Sequence, residues 1–259
     1  MNATEFLAKL QIVAESCAEV MTTEDKSWIV KGFIDIAENI YVMPGDTKVV
    51  SKIIELMLFP TFTKFAAENN LKMILPSEQN HYPDLTFIDE SNNAFSVDLK
   101  TTYRVDQDKA NIMTLGAFTG YFRDRKSNKN ITMPYGDYMT HIVFGVIYNR
   151  SIEGLSEEKV YQVKDLESMP SAISDLQFFA QPKYRIAKDT PGSGNTKNIG
   201  AINEIDALIN GNGPFSSLGE KTFDSYWMGY LTKDMARAIE LPEPPYNNLA
   251  SYHDYRNSL

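Results

Sequence analysis

One apolar run, Ile142 to Tyr148, interrupted only by Gly145, constrains this chain more than any other segment. It is far too short to cross a bilayer. With no polar residue alternating through it, it reads as a strand buried on both faces. The pattern around it mixes helices and strands, which points to an α/β or α+β arrangement. At 259 residues the chain is long enough to bury a full core as one large domain or two modest ones.

Periodicity places the other elements. Phe6, Leu10, Val13 and Cys17 fall on one stripe, with Leu7, Ala14 and Ala18 beside it, and predict an amphipathic helix over 4–21. Residues 28–42, rich in β-branched and aromatic types, predict a short hairpin turning at Glu38 and Asn39. Asp46 is placed to cap a helix running to Met57, with Val49, Ile53 and Leu56 inward and Pro60 as its stop. From Leu71 to Tyr103 the chain reads as strand, loop, strand, tight turn, strand, and 138–149 as a further strand. Pro182 to Ile202 reads as a polar, glycine-rich loop. The Ser/Glu/Lys stretch from Ser151 to Lys164 reads as a connection.

Composition removes several function classes. A single cysteine, Cys17, rules out an intramolecular disulfide and a cysteine zinc cage, and only His81, His141 and His253 are available for a histidine site. Any metal would be a hard cation held by carboxylates. Glu5, Lys9 and Glu15 break up the amino-terminal apolar pattern, so no signal peptide is expected; the compartment reads as cytoplasmic, with no membrane partner. The net charge of −9 argues at face value against nucleic acid. Phosphate affinity depends on where the cations sit rather than on their sum, so the charge excludes little.

The strongest chemical signal is Pro83-Asp84 followed by Asp98-Leu99-Lys100. Along Ala94 to Lys100, Phe95, Val97 and Leu99 alternate with Ser96, Asp98 and Lys100, so a strand sends Asp98 and Lys100 to one face. The polar segment Asp89 to Asn93 is a turn. Antiparallel pairing about Ser91 sets residue 84 opposite residue 98, with Cβ atoms about 5 Å apart. Two carboxylates that close repel, and a Mg²⁺ ion between them relieves the conflict. A neighbouring lysine suits an attacking water and charge on a phosphoryl oxygen. From the residues alone, the same Asp and Lys also fit the wet face of an amphipathic hairpin.

The string Gln79-Asn80-His81-Tyr82-Pro83-Asp84, then Val97-Asp98-Leu99-Lys100-Thr101-Thr102-Tyr103, resembles the catalytic core of the EcoRV family within the PD-(D/E)XK nucleases. Further blocks match in order: Asp46-Thr47-Lys48-Val49 with Glu55, then Thr114-Leu115-Gly116, then Gly192 to Thr196 with Asn198-Ile199-Gly200. Tyr246-Asn247-Asn248 and Tyr255-Arg256 look similar too, so the resemblance spans nearly everything from about Tyr41 onward.

The resemblance implies an α/β restriction-endonuclease-like fold, a mixed central sheet flanked by helices. It implies a single unit over 1–259, with 1–45 as a small dimerisation subdomain and 46–259 carrying catalysis and DNA binding. The implied activity is that of a type II site-specific deoxyribonuclease, a homodimer acting on double-stranded DNA with Mg²⁺. A cognate DNA methyltransferase is expected in the same cell, though not as a stable complex. Asp84 and Asp98 would bind the metal, Lys100 would serve the attacking water, and Glu55 would be an auxiliary acid; read alone, Glu55 is a solvated helix residue.

By the same resemblance Thr47, Lys48, Thr101, Thr102, Tyr103 and Lys129 would lie near the DNA backbone, and Thr114 would also be a DNA-binding residue. Gln79 and Asn80 would form a second DNA-facing loop. Gly192, Ser193, Gly194, Asn195, Thr196, Lys197 and Asn198 would form the loop that reads the major groove, although a plain surface loop has the same composition. Lys197 stands where the family has a second threonine, and Glu78 where it has a glutamine. A repair nuclease sharing the metal core, or a non-catalytic DNA-binding protein, are the competing readings.

Overall fold

The computed structural model describes residues 1–151, 156, 158–192 and 197–258. In chain order the elements are α1 (Ala3–Met21), β1 (Gly32–Ile34), β2 (Asn39–Val42), α2 (Thr47–Glu68), β3 (Lys72–Ile74), β4 (Leu85–Ile88) and β5 (Ala94–Tyr103). Then come β6 (Thr114–Ala117), β7 (Tyr138–Arg150), β8 (Val160–Gln162), β9 (Ile173–Pro182), α3 (Lys183–Ile186), β10 (Ala187–Pro191) and β11 (Asn198–Ala201). Four helices finish the chain: α4 (Ile205–Asn210), α5 (Glu220–Gly229), α6 (Lys233–Ala238) and α7 (Leu249–Asn257).

The centre is a five-stranded sheet in the order β3-β4-β5-β7-β9. It is mixed, because β5 and β7 run parallel while every other pair is antiparallel. β7 is the doubly buried strand expected from the apolar run. Ile142, Phe144, Val146 and Tyr148 enter one core, and Val143 and Ile147 enter the other. Gly145 lies between the latter two and faces Phe179 of β9, whose ring fills the space a side chain would take. Substitution there would overpack the interior.

α1 and α2 cover the first face. Phe6 stacks on Phe95 with ring centroids 4.3 Å apart, and α1 lies along β9. The second face is covered by aromatic side chains from residues 110–255, including Phe118, Phe122, Tyr135, Tyr226 and Trp227. Two three-stranded sheets lie outside the central one, β1-β2-β8 and β10-β11-β6.

Four expectations are corrected. α2 does not stop near Met57 but runs through Pro60 to Glu68. Pro60 and Leu56, whose carbonyl the proline leaves without a helical donor, both lie on the exposed side, where water can serve. The buried stripe of α2 is Val50, Ile54, Leu58, Phe62 and Phe65; Val49 and Ile53 pack beside it, half-buried against the core, whereas Leu56 faces outward. Pro182 to Ile202 is not a loop throughout, since α3, β10 and β11 occupy most of it. The first hairpin turns slightly earlier than Glu38 and Asn39: the Asp35 carboxylate accepts from the amides of Ala37 and Asn39 at 2.8 and 2.9 Å, and Asn39 already belongs to β2.

Candidate active site

β4 and β5 pair as Leu85↔Val97, Thr86↔Ser96, Phe87↔Phe95 and Ile88↔Ala94, the register centred on Ser91. Asp89 holds the turn by accepting the amides of Ser91 and Asn93, each at 2.9 Å. One further step along this register sets Asp84, just before β4, against Asp98 of β5. Asp84 Oδ2 accepts from the Leu99 amide at 2.6 Å, which ties the two carboxylate-bearing segments together.

The polar face of β5 is not wet. Ser96 is fully buried and Asp98 is 7% exposed. Ser96 Oγ contacts the Tyr82 hydroxyl at 3.1 Å and His141 Nδ1 at 3.0 Å, and the Tyr82 hydroxyl contacts the same nitrogen at 2.9 Å. His141 Nε2 lies 3.2 Å from the Tyr135 carbonyl, so it donates there and Nδ1 accepts. Burial holds this imidazole's pKa well below the usual histidine range, so it stays neutral.

Lys100 Nζ sits 2.7 Å from Asp98 Oδ2 and 3.3 Å from the Leu99 carbonyl. Burial opposes its charge most strongly, but Asp98 and Asp84 outweigh burial and raise its pKa. Asp84 moves the other way for a carboxylate: burial first, and then the charge of Asp98, push it up to about 7. Two buried carboxylates with one ammonium, paired to Asp98, thus hold an excess of negative charge once Asp84 ionises above about pH 7.

Asp84 and Lys100, but not the buried Asp98, line a cleft of about 240 Å³ together with Ser51, Ile54, Glu55, Leu58, Leu99, Thr101 and Val146. Glu55 therefore shares the cleft, although its carboxylate is turned to Lys52 at 2.7 Å. Among the described residues no three His, Cys, Asp or Glu side chains converge as a ready-made metal cage. The oxygen donors nonetheless fit a hard cation. The Lys100 ammonium already occupies a spot between a carboxylate oxygen and a peptide carbonyl, the ligand types Mg²⁺ takes.

Five of the residues expected near the DNA backbone, Thr47, Lys48, Thr101, Thr102 and Tyr103, line an adjoining cleft of about 270 Å³. Asn111, Ile112 and Tyr148 line it too, and Asn111 and Ile112 had no signal in the sequence. Ser51, likewise unforeseen, lines both clefts, and its hydroxyl hydrogen-bonds Thr101 Oγ1. Its place one helical turn after Thr47 was the available clue.

The remaining positions are more scattered. Gln79, Asn80 and Lys129 are exposed on loops beyond these clefts. Thr114 lies opposite Gly200 in the β6–β11 ladder, and a Cβ at Gly192 would come within 2.9 Å of its methyl. Gly192 and Gly200 thus close the base of the glycine-rich loop against Thr114. The exposed Lys197 accepts from the Phe118 amide through its carbonyl, and Asn198 pairs with Ala117. Ser193, Gly194, Asn195 and Thr196 lie outside the described residues. No helix among the described residues is long and apolar enough to cross a membrane.

The chain is similar to known restriction endonucleases. The family described as restriction endonuclease EcoRV matches residues 24–257. The type II restriction enzyme EcoRV of Escherichia coli is 34% identical over 235 residues, which is 90% of this chain and 92% of that protein. Among solved structures, the NlaIV restriction endonuclease aligns with 98% of this chain and 84% of its own, at a TM-score of 0.42 and 12% identity. The match of sequence over nearly the whole length shows that the chain belongs to the EcoRV family of restriction endonucleases.

Proposed function

We propose that this protein hydrolyses both strands of the palindrome GATATC at its centre, leaving blunt ends with 5′-phosphates, as a Mg²⁺-dependent homodimer. Membership of the family makes it a type II restriction endonuclease, a site-specific deoxyribonuclease acting on double-stranded DNA. One observation supports the finer reading: Asp84, Asp98 and Lys100 converge at the end of a buried hairpin, with Asp84 and Lys100 lining a cleft beside a second cleft of hydroxyls and a lysine, and Asp98 buried behind Lys100.

Asp84 and Asp98 would hold the cation, with Glu55 reaching the same cleft if it releases Lys52. When bound, Mg²⁺ supplies Lewis-acid stabilisation of the charge on the phosphoryl oxygens. Lys100 orients the attacking water and places positive charge beside the phosphate as negative charge builds. Ser51, Thr47, Lys48, Thr101, Thr102 and Tyr103 position the strand through its backbone. Cleaving to a 5′-phosphate requires the 3′ oxygen to leave opposite the incoming water, so positioning governs the rate.

Base readout is assigned to the loop from Gly192 to Asn198, with Asn195 on adenine and the Thr196 methyl on thymine. Gln79 and Asn80 form the second loop, and Thr114 and Lys129 meet phosphates. Lys197 turns to a phosphate as well, leaving the outer bases to the retained glycine pattern. The inner TA step is read through deformation, since pyrimidine–purine steps unstack easily. A two-fold site cut on both strands calls for two copies of this single catalytic unit. The dimer contact is assigned to the amino-terminal region, where β1, β2 and β8 form a sheet whose Ile34 and Ile36 are 61% and 104% exposed. The enzyme works in the cytoplasm, where a separate methyltransferase protects the cell's own copies of the site.

Incubation with a sequenced plasmid and Mg²⁺, followed by end mapping, tests the reading. Discrete fragments with blunt GAT and ATC ends are expected. Staggered ends or another hexamer overturn the site assignment. Smearing favours a general nuclease, and binding without cleavage favours a non-catalytic DNA-binding protein.

A further inference from the structure

On the Asp98 side of β5 the protein buries a cation that none of the steps above uses. Lys183, the first residue of α3, is 2% exposed, and its Nζ has no hydrogen-bond partner among the described residues. Three aromatic faces surround it instead: Tyr82 at 5.3 Å, and Phe122 and Tyr135 each at 5.5 Å from ring centroid to Nζ. A Cβ on Gly116 would sit 3.6 Å from this Nζ and 3.7 Å from the Tyr121 hydroxyl, so the glycine leaves the ammonium its space. Cation–π attraction offsets part of the desolvation, but a neutral residue would lie there at lower cost.

Its aromatic cage borders the hairpin that carries the two carboxylates. The Tyr82 ring that faces Lys183 belongs to the segment that presents Asp84, and the Tyr82 hydroxyl contacts Ser96, two residues before Asp98 on the same face. Burial lowers the Lys183 pKa to about 8, while Asp98 is the charge that most favours its protonated form; Lys100 and Arg125 oppose it and Asp224 assists. Where Asp84 is ionised, it and Asp98 outweigh the single charge of Lys100, and Lys183 supplies a positive charge that offsets the excess.

We propose that Lys183 is a positioning residue that acts through Asp98: its caged ammonium balances the carboxylate pair from behind and restrains cation binding until a DNA phosphate is in place. The inference rests on the proposal that Asp84 and Asp98 hold a divalent cation. A phosphate in the cleft adds the negative charge that Lys183 had cancelled, so cation and DNA favour one another. Without Lys183 the site would take a cation regardless of DNA.

Calorimetric titration of Ca²⁺ into the DNA-free protein at pH 7.5 tests this. Lys183→Met keeps the side chain's length and removes its charge. It is expected to bind Ca²⁺ about three to ten times more tightly than the unaltered protein, to lose most of the gain in Ca²⁺ affinity that added duplex gives, and to melt no lower. Misfolding loosens a metal site, so tightening separates an electrostatic role from a merely structural one. The exposed Lys221→Met controls for net charge and is expected to change nothing. Unchanged or weaker Ca²⁺ binding in Lys183→Met overturns the inference. If Lys183→Met fails to fold, Lys183→Gln takes its place, and failure of both assigns the lysine to folding and overturns the inference too. Asp98→Ala separates the two layers: if it leaves Ca²⁺ binding intact, the metal assignment itself fails, whereas lost binding there with no change in Lys183→Met rejects only the role of Lys183.

Discussion

Two antiparallel hairpins in this protein break the ordinary rule of burial in opposite directions. β4–β5 carries charge into the interior, with Asp98 buried and Asp84 and Lys100 partly so. β1–β2 carries hydrocarbon to the surface, at Phe33, Ile34 and Ile36. Each arrangement costs free energy in the isolated chain, one through desolvated charge and the other through exposed apolar area. What would relieve the cost differs: a cation and a phosphate for the first, a second apolar surface for the second. The contrast matches the proposal of chemistry at one hairpin and assembly at the other, and substitutions can separate them.

The largest effect is expected at the charged hairpin. Asp84→Ala, Asp98→Ala and Lys100→Ala should each lower single-turnover cleavage about a thousandfold or more while leaving the folded state intact by circular dichroism. Normal cutting by Asp98→Ala would remove this hairpin from the chemistry. Glu55→Ala should fall between these and the unaltered protein, because Glu55 lines the same cleft from α2 while its carboxylate is paired with Lys52.

At the apolar hairpin, Ile34→Asp combined with Ile36→Asp should raise the dimer dissociation constant about thirtyfold or more, the loss of about 2 kcal/mol typical of a central interface residue. Sedimentation at graded concentrations measures it. The same variant should nick one strand more often than it cuts both, because two sites no longer arrive together. A variant that stays dimeric and cuts both strands normally would place the contact elsewhere.

The two hairpins also differ in how much the sequence disclosed. The β4–β5 register was legible because Asp89 to Asn93 is a strong turn and the strand alternation admits one pairing. Burial of its polar face was not legible, because the covering side chains, His141, Tyr135 and Tyr121, come from far along the chain. The same reason hid Lys183, whose aromatic cage is assembled from residues 82, 122 and 135. The end of α2 was misread because a proline normally stops a helix, and only the exposure of its outer face shows why this one does not. Helix α1 was legible from its stripe alone, yet the stripe does not say that α1 would pack on the central sheet.

The pH response belongs to the charged hairpin. Asp84 has its pKa raised to about 7, so below that pH it holds a proton and gives up a ligand oxygen. Ca²⁺ affinity in the absence of DNA should therefore fall as pH drops from 8 to 6, by about tenfold per unit below 7. Asp84→Asn should flatten that dependence. A Ca²⁺ affinity constant over the range would show that Asp84 is not a ligand.

Stability gives the smallest and most discriminating effect. In the unfolded chain Asp84 titrates near 3.9, and in the fold near 7, chiefly through burial. The folded state thus holds its proton more tightly. That advantage is fully present below about pH 4 and is lost as pH rises through about 7. At pH 8 the ionised carboxylate is a net liability, which Asp84→Asn removes while its amide oxygen can still accept from the Leu99 amide. Asp84→Asn should therefore stabilise the metal-free protein at pH 8 by about 1–3 kcal/mol, less than the full linkage because the side chain retains some contact with water. That corresponds to roughly 2–4 °C in Tm per kcal/mol for a chain of this size. Urea unfolding in the presence of a chelator should show the gain shrinking as pH falls toward 5. A variant less stable than the unaltered protein at pH 8 would mean that the carboxylate's contacts outweigh its burial, and β4–β5 would then be a hairpin stabilised by its charges rather than one that bears them for the reaction.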